Sequence, residues 1–155
     1  MGVGREARAQ RLNLEEFVPF RLNRLAAAVS EHLAEIYRTR FGLEIPEWRV
    51  LVTVGARRDC TAQQIAASTR MHKTRVSRAV AGLRRRGLLA RASSAHDGRE
   101  LHLALTAAGR RVYAVLVPLA LSRERALLGV LTPAQRRGLL AGIAGLEALL
   151  GLGGE

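Results

Sequence analysis

The 155-residue chain is short of several residue types from which common functions are built. Its single cysteine, Cys60, makes an internal disulfide impossible and excludes a cysteine-rich zinc module. The four histidines, His32, His72, His96 and His102, include no pair at the three-to-four spacing that sets two ligands on one helical face, so no metal is expected. Only two aspartates occur, Asp59 and Asp97, and no phosphate loop or nucleophile elbow accompanies them. The sequence therefore predicts no catalytic residue, no cofactor and no enzyme. The longest apolar run, Val112 to Leu121, is about half the ~20 residues that span a bilayer, and the opening MGVGREARAQ lacks a signal-peptide core. A soluble, cytoplasmic protein with no membrane partner is the expectation.

Acidic residues have their own gap. All 13 lie outside the window from Cys60 to His96, while Arg70, Lys73, Arg75, Arg78, Arg84, Arg85, Arg86 and Arg91 fall inside it. Total charge alone argues little, because 24 of the 25 Lys+Arg residues are Arg, a bias that genome base composition also produces. A one-signed patch beside a mixed remainder is the electrostatic footprint of a nucleic-acid partner. The window also lacks Phe, Tyr and Trp, which removes the stacking platform of single-strand binders and favours duplex DNA.

With 48% hydrophobic residues and no Pro/Ser-rich linker, residues 1–155 read as one unit. Leu22, Leu25, Val29, Leu33 and Ile36 mark the apolar face of a first helix, with Asn13 and Glu16 as a candidate capping box, Pro19 as a bend or later start, and Gly42 as its end. Pro46 suits the first turn of a second helix carrying Trp48, Leu51 and Val52, weakened at Gly55. Thr61 and Gln64 form the capping box of a third, and a turn near Ser68 to Met71 leads to a fourth that ends before Gly87. Leu101, Leu103 and Leu105 alternate with His102 and Ala104 as a strand whose partner is Leu88 to Ala92, with Ser93 to Gly98 as the tip. Helix returns from Thr106 through Leu128, with a kink expected at Pro118, and restarts at the Thr132-Pro133-Ala134-Gln135 box. Leu139, Ile143, Leu146 and Leu150 form the last stripe; Gly138, Gly142 and Gly145 beside it reflect either close helix approach or compositional bias. The fold class is mainly α, a winged helix-turn-helix with a small β-hairpin wing. Residues 46–105 are expected to form the DNA-binding lobe, flanked by helical regions over 12–42 and 106–152.

On the fourth helix, a 100° step puts Val76, Ala79, Val80 and Leu83 on one side and Thr74, Arg78, Ala81 and Arg85 opposite. Lys73, Thr74, Arg75, Ser77 and Arg78 lie near its N-terminus, the end that enters the major groove, where Arg reads guanine with two donors. Thr61 and His72 complete the candidate DNA contacts, and Arg84 to Arg86 suggest a solvated or phosphate-flanking role.

The order and spacing of Lys73-Thr74-Arg75-Val76-Ser77-Arg78, LRRRGL over Leu83 to Leu88, Asp97-Gly98-Arg99 and Leu105-Thr106-Ala107-Ala108-Gly109 identify a resemblance to the MarR family of winged-helix transcriptional regulators, over nearly the whole chain. The resemblance implies that Arg99 enters the minor groove from the wing and that Asp97 orients it; Asp97-Gly98 also suits a simple tight turn. His72 stands where the family commonly has an acid, which implies a lost helix cap and a possible donor to DNA. A homodimer through the first, fifth and sixth helices, with 12–42 and 106–152 as its dimerisation region, a palindromic double-stranded operator and a small-molecule effector of aromatic or anionic character are further implications. Candidate effector contacts are His32, Tyr37, Trp48, Arg49 and Tyr113. Two alternatives stay open: a non-sequence-specific architectural protein, and redox sensing through Cys60 if the helix dipole lowers its pKa. Arg75→Ala is expected to cost about 1 to 3 kcal/mol of operator binding and to relax base preference, with the ratio of specific to non-specific affinity as the readout.

Overall fold

The structure is a computed structural model and describes residues 11–92 and 102–152. The chain first makes a turn in which Asn13 accepts hydrogen bonds from the amides of Glu15, Glu16 and Phe17, so Asn13 and Glu16 do not cap the first helix as expected. Helix α1 starts later, at Val18–Phe41, with Pro19 in its first turn where a missing amide costs nothing. Gly42 ends it in the left-handed region (φ +57°). Its amide and that of Leu43 then bond back to the carbonyls of Arg38 and Tyr37.

Helix α2 spans Ile45–Arg57 and starts one residue ahead of Pro46. It runs through Gly55, where a Cβ would stand 2.3 Å from the ring of Tyr113, so the glycine admits another helix rather than weakening this one. A two-residue strand β1, Cys60–Thr61, leads into α3, Ala62–Thr69, and α4, Lys73–Arg85. Thr61 Oγ1 accepts from the Gln64 amide (3.2 Å) and Gln64 Oε1 from the Thr61 amide (2.8 Å), the reciprocal box expected of that sequence. Strands β2, Leu89–Ala92, and β3, His102–Leu105, pair antiparallel with Leu89 opposite Leu105. Strand β1 adds to the other edge of β3, giving the order β1-β3-β2. Two residues have no period, so this strand could not be read from the sequence.

Helix α5, Ala107–Leu128, follows a Thr106 cap and continues unbroken past Pro118. Helix α6, Pro133–Leu149, follows the Thr132–Gln135 box. The core joins Val50, Leu51 and Val54 of α2 to Ile65 of α3, Val76 and Leu83 of α4, Leu103 of β3 and Leu116 of α5, all essentially without exposure. Each such side chain contributes about 1.5–3 kcal/mol by leaving water. Among the described residues, no helix is long and apolar enough to cross a membrane.

Gly109 sits where α5 crosses the end of β2, and a Cβ there would lie 2.1 Å from the backbone oxygen of Leu88. Gly109→Ala is expected to cost about 3 kcal/mol, a Tm loss of about 6 to 12 °C by calorimetry, because backbone must move. Gly55→Ala, which meets only the Tyr113 ring, should lose less; the reverse order would contradict this packing.

Candidate nucleic-acid interface

The turn between α3 and α4 passes through Arg70 in the left-handed region (φ 54°) and buries Met71. Helix α4 then begins at His72, whose Nδ1 accepts a hydrogen bond from the Thr74 amide at 3.3 Å. The expected loss of an N-terminal cap is thus corrected: an imidazole lone pair takes the place of a carboxylate. In this arrangement the neutral ring carries its proton on Nε2.

Along α4, Val76, Ala79, Val80 and Leu83 are buried, while Lys73, Thr74, Arg75, Ser77 and Arg78 are exposed. The apolar face packs mainly on α2 and α3, which leaves the basic face outward. No carboxylate among the described residues pairs with Lys73, Arg75 or Arg78, so among those residues their charge is uncompensated. Such a face attracts the phosphate backbone and offers donors to base edges. Thr61, by contrast, is a buried cap (8% exposed) that spends its hydroxyl on Gln64.

The basic triplet after this face divides. Arg84 and Arg85 are exposed. Arg86 turns back onto the protein, donating to the carbonyls of Phe41 and Gly42, with Glu47 Oε2 at 3.8 Å. Arg86 keeps the solvent exposure expected of it (38%) while also making this contact, which sequence periodicity could not show. On the wing, His102 Nδ1 lies 2.8 Å from Asp59 Oδ1, tying β3 to the segment before β1. Asp97 and Arg99, the expected wing contacts, lie outside the described residues.

The five candidate effector residues do not converge. Tyr37 is buried and stacks on Trp48 with ring centroids 5.2 Å apart, and burial pushes its phenol up to about 12. His32 Nε2 meets Arg123 of α5 at 3.3 Å. Tyr113 lies beside Gly55. Arg49 alone lines a cleft of about 540 Å³, where it donates to Ser30 Oγ at 3.2 Å beside Glu31, Arg38, Glu44, Met71 and Arg75. Met71 and Arg75 reach that cleft from the helix-turn-helix, a juxtaposition invisible before folding. Cys60 is buried at 1% exposure, and burial pushes its thiol above the ordinary range. The redox reading needed an exposed thiolate with a lowered pKa, so this environment removes its chemical basis.

Helix, turn, helix and an antiparallel wing, with an outward basic face on the second helix, define a winged helix-turn-helix protein of the DNA-binding class. Residues 41–100 match the MarR family model. Over 90% of this chain and 98% of the other, the fold superposes on a MarR/EmrR family transcriptional regulator from Acinetobacter sp. ADP1 (TM-score 0.80, 25% identity). It also matches a MarR family regulator from Streptomyces coelicolor in complex with DNA (TM-score 0.74, 26% identity, 92% of each chain). A MarR family protein from Mycobacterium tuberculosis in complex with salicylic acid shares the fold (TM-score 0.67, 22% identity, 84% of this chain and 96% of the other). No curated protein sequence matches. Over residues 41–100 the chain is thus similar in sequence to the MarR family, and its fold is similar to that of MarR family transcription regulators.

The His72 cap generates a direct test. His72→Ala should lower stability by about 1 kcal/mol, a Tm loss of about 2 to 4 °C, while His72→Asp should hold it. An unchanged Tm for His72→Ala would show that the imidazole does not cap α4.

Proposed function

We propose that this protein is a cytoplasmic homodimeric repressor that reads a palindromic operator and is released by a small anionic ligand. The observation that carries the reading is the division of α4 into a buried apolar face and an exposed basic face that pairs with no carboxylate among the described residues. Lys73, Thr74, Arg75, Ser77 and Arg78 form the base- and phosphate-contacting set, and Arg99, oriented by Asp97, is assigned to the minor groove.

Dimerisation is supported by α6, a 17-residue helix that buries no residue against its own chain. Leu139, Leu140, Ile143, Leu146 and Leu150 remain exposed on it, as do Phe17, Val18, Leu22 and Leu25 near the start of α1. A two-fold dimer would set two α4 helices about one helical turn, ~34–36 Å, apart along DNA. The cleft at Arg49 supports ligand release, because Arg49 and Arg75 can pair with an anion while Ile45, Pro46 and Met71 offer apolar surface. Arg75 belongs to both the cleft and the DNA face, so ligand and operator compete for one guanidinium.

The test is selection of genomic fragments on the purified protein at near-physiological salt, followed by titration of the best site with salicylate and by sedimentation. A palindrome bound by a dimer, with affinity falling as salicylate rises in wild type but not in Arg49→Ala, is the expected result. Enrichment without a motif would leave a charge-driven architectural protein, and a monomer on a single half-site would remove the dimer.

A further inference from the structure

The C-terminal end of α1 leaves backbone carbonyls that no helical amide can reach. Two of them, Phe41 O and Gly42 O, receive the guanidinium of Arg86, which stands at the C-cap of α4. The same guanidinium lies 3.8 Å from Glu47 Oε2, and Glu47 also accepts from the Glu44 amide at 3.0 Å at the start of α2. Space for this carboxylate comes from Gly82 of α4: a Cβ there would lie 2.7 Å from Glu47 Oε1. The end of α1, the beginning of α2 and the end of α4 therefore meet at one cation.

We propose that Arg86 is a positioning residue that sets the angle of α4 against α1, and does not contact DNA. The inference rests on the reading of α4 as the DNA-reading helix. Helix α4 packs on α2 and α3 through apolar side chains, which resist separation but permit sliding and tilt. A planar guanidinium fork aimed at two fixed carbonyls adds direction to that contact. A cation beside a helix C-terminus also meets the negative end of the helix dipole. The C-terminal end of the recognition helix, already tied to the α5 cap through Gly87 and Thr106, is thereby also held to the arm assigned to dimerisation, so helix angle and half-site geometry are set together.

The experiment measures an intramolecular distance by electron-spin resonance, with labels at Arg40→Cys on α1 and Ala81→Cys on α4 in a Cys60→Ala background, diluted with unlabelled protein. Wild type should give one narrow distribution, and Arg86→Ala a broadened or shifted one; Arg86→Lys, which has no fork, should fall between them. In parallel, unlabelled wild type and Arg86→Ala are titrated with a random-sequence duplex over a range of salt. Positioning predicts an unchanged salt slope, whereas a lost phosphate contact lowers it by about 1. An unchanged distance distribution overturns the proposal, whether the slope falls (a phosphate contact) or only Tm falls (a structural tie). If Arg86→Ala fails to fold, Arg86→Gln takes its place, with the same outcomes. Neither measurement needs a dimer or an operator, so failure of the palindrome reading is distinguishable from failure of this one.

Discussion

The burial of Val76, Ala79, Val80 and Leu83 against α2 and α3 is the contact on which the rest of the molecule depends. An α-helix cannot bury one stripe without presenting the opposite one. Once these four side chains leave water, Lys73, Thr74, Arg75, Ser77 and Arg78 have no direction but outward. The surface proposed to face DNA is thus a by-product of core formation, held mainly by apolar burial. Among the described residues no carboxylate pairs with its cations, which leaves its field available to a polyanion.

Much of this was legible in the sequence because it is local. The faces of α4 follow from a 3.6-residue period, and the boxes at Thr61–Gln64 and Thr132–Gln135 follow from a three-residue spacing. The pairing of Leu89–Ala92 with His102–Leu105 follows from alternation and chain proximity. What escaped depends on contacts between segments distant in sequence or on chemistry with more than one local solution. Strand β1 exists only because β3 lies beside it. Gly55 reads in the sequence as a weak point of its helix, whereas Tyr113, 58 positions later, fills the space it leaves. His72 was misread because carboxylates are the usual caps, yet an imidazole nitrogen accepts the same amide.

The site is therefore unevenly legible. Base-facing candidates on α4 could be named from one helix alone. A cleft assembled from α1, α2 and the turn before α4 could not, and of five aromatic and polar candidates only Arg49 lines it. Tyr37 and Trp48 instead pair with each other, as large rings in a small core tend to do. Charge patterning locates a surface; concave sites need tertiary structure.

The outward face of α4 carries a single lysine, Lys73, and otherwise arginine. Guanidinium keeps its proton across the whole range in which a protein folds, whereas an ammonium can lose its charge by burial or acetylation. In the proposed complex, the arginine share of this helix's grip on a phosphate backbone is thus insensitive to acidity and closed to lysine-modifying enzymes. Its natural variable is ionic strength, which would make the cell's salt balance a direct determinant of how long such a complex lasts.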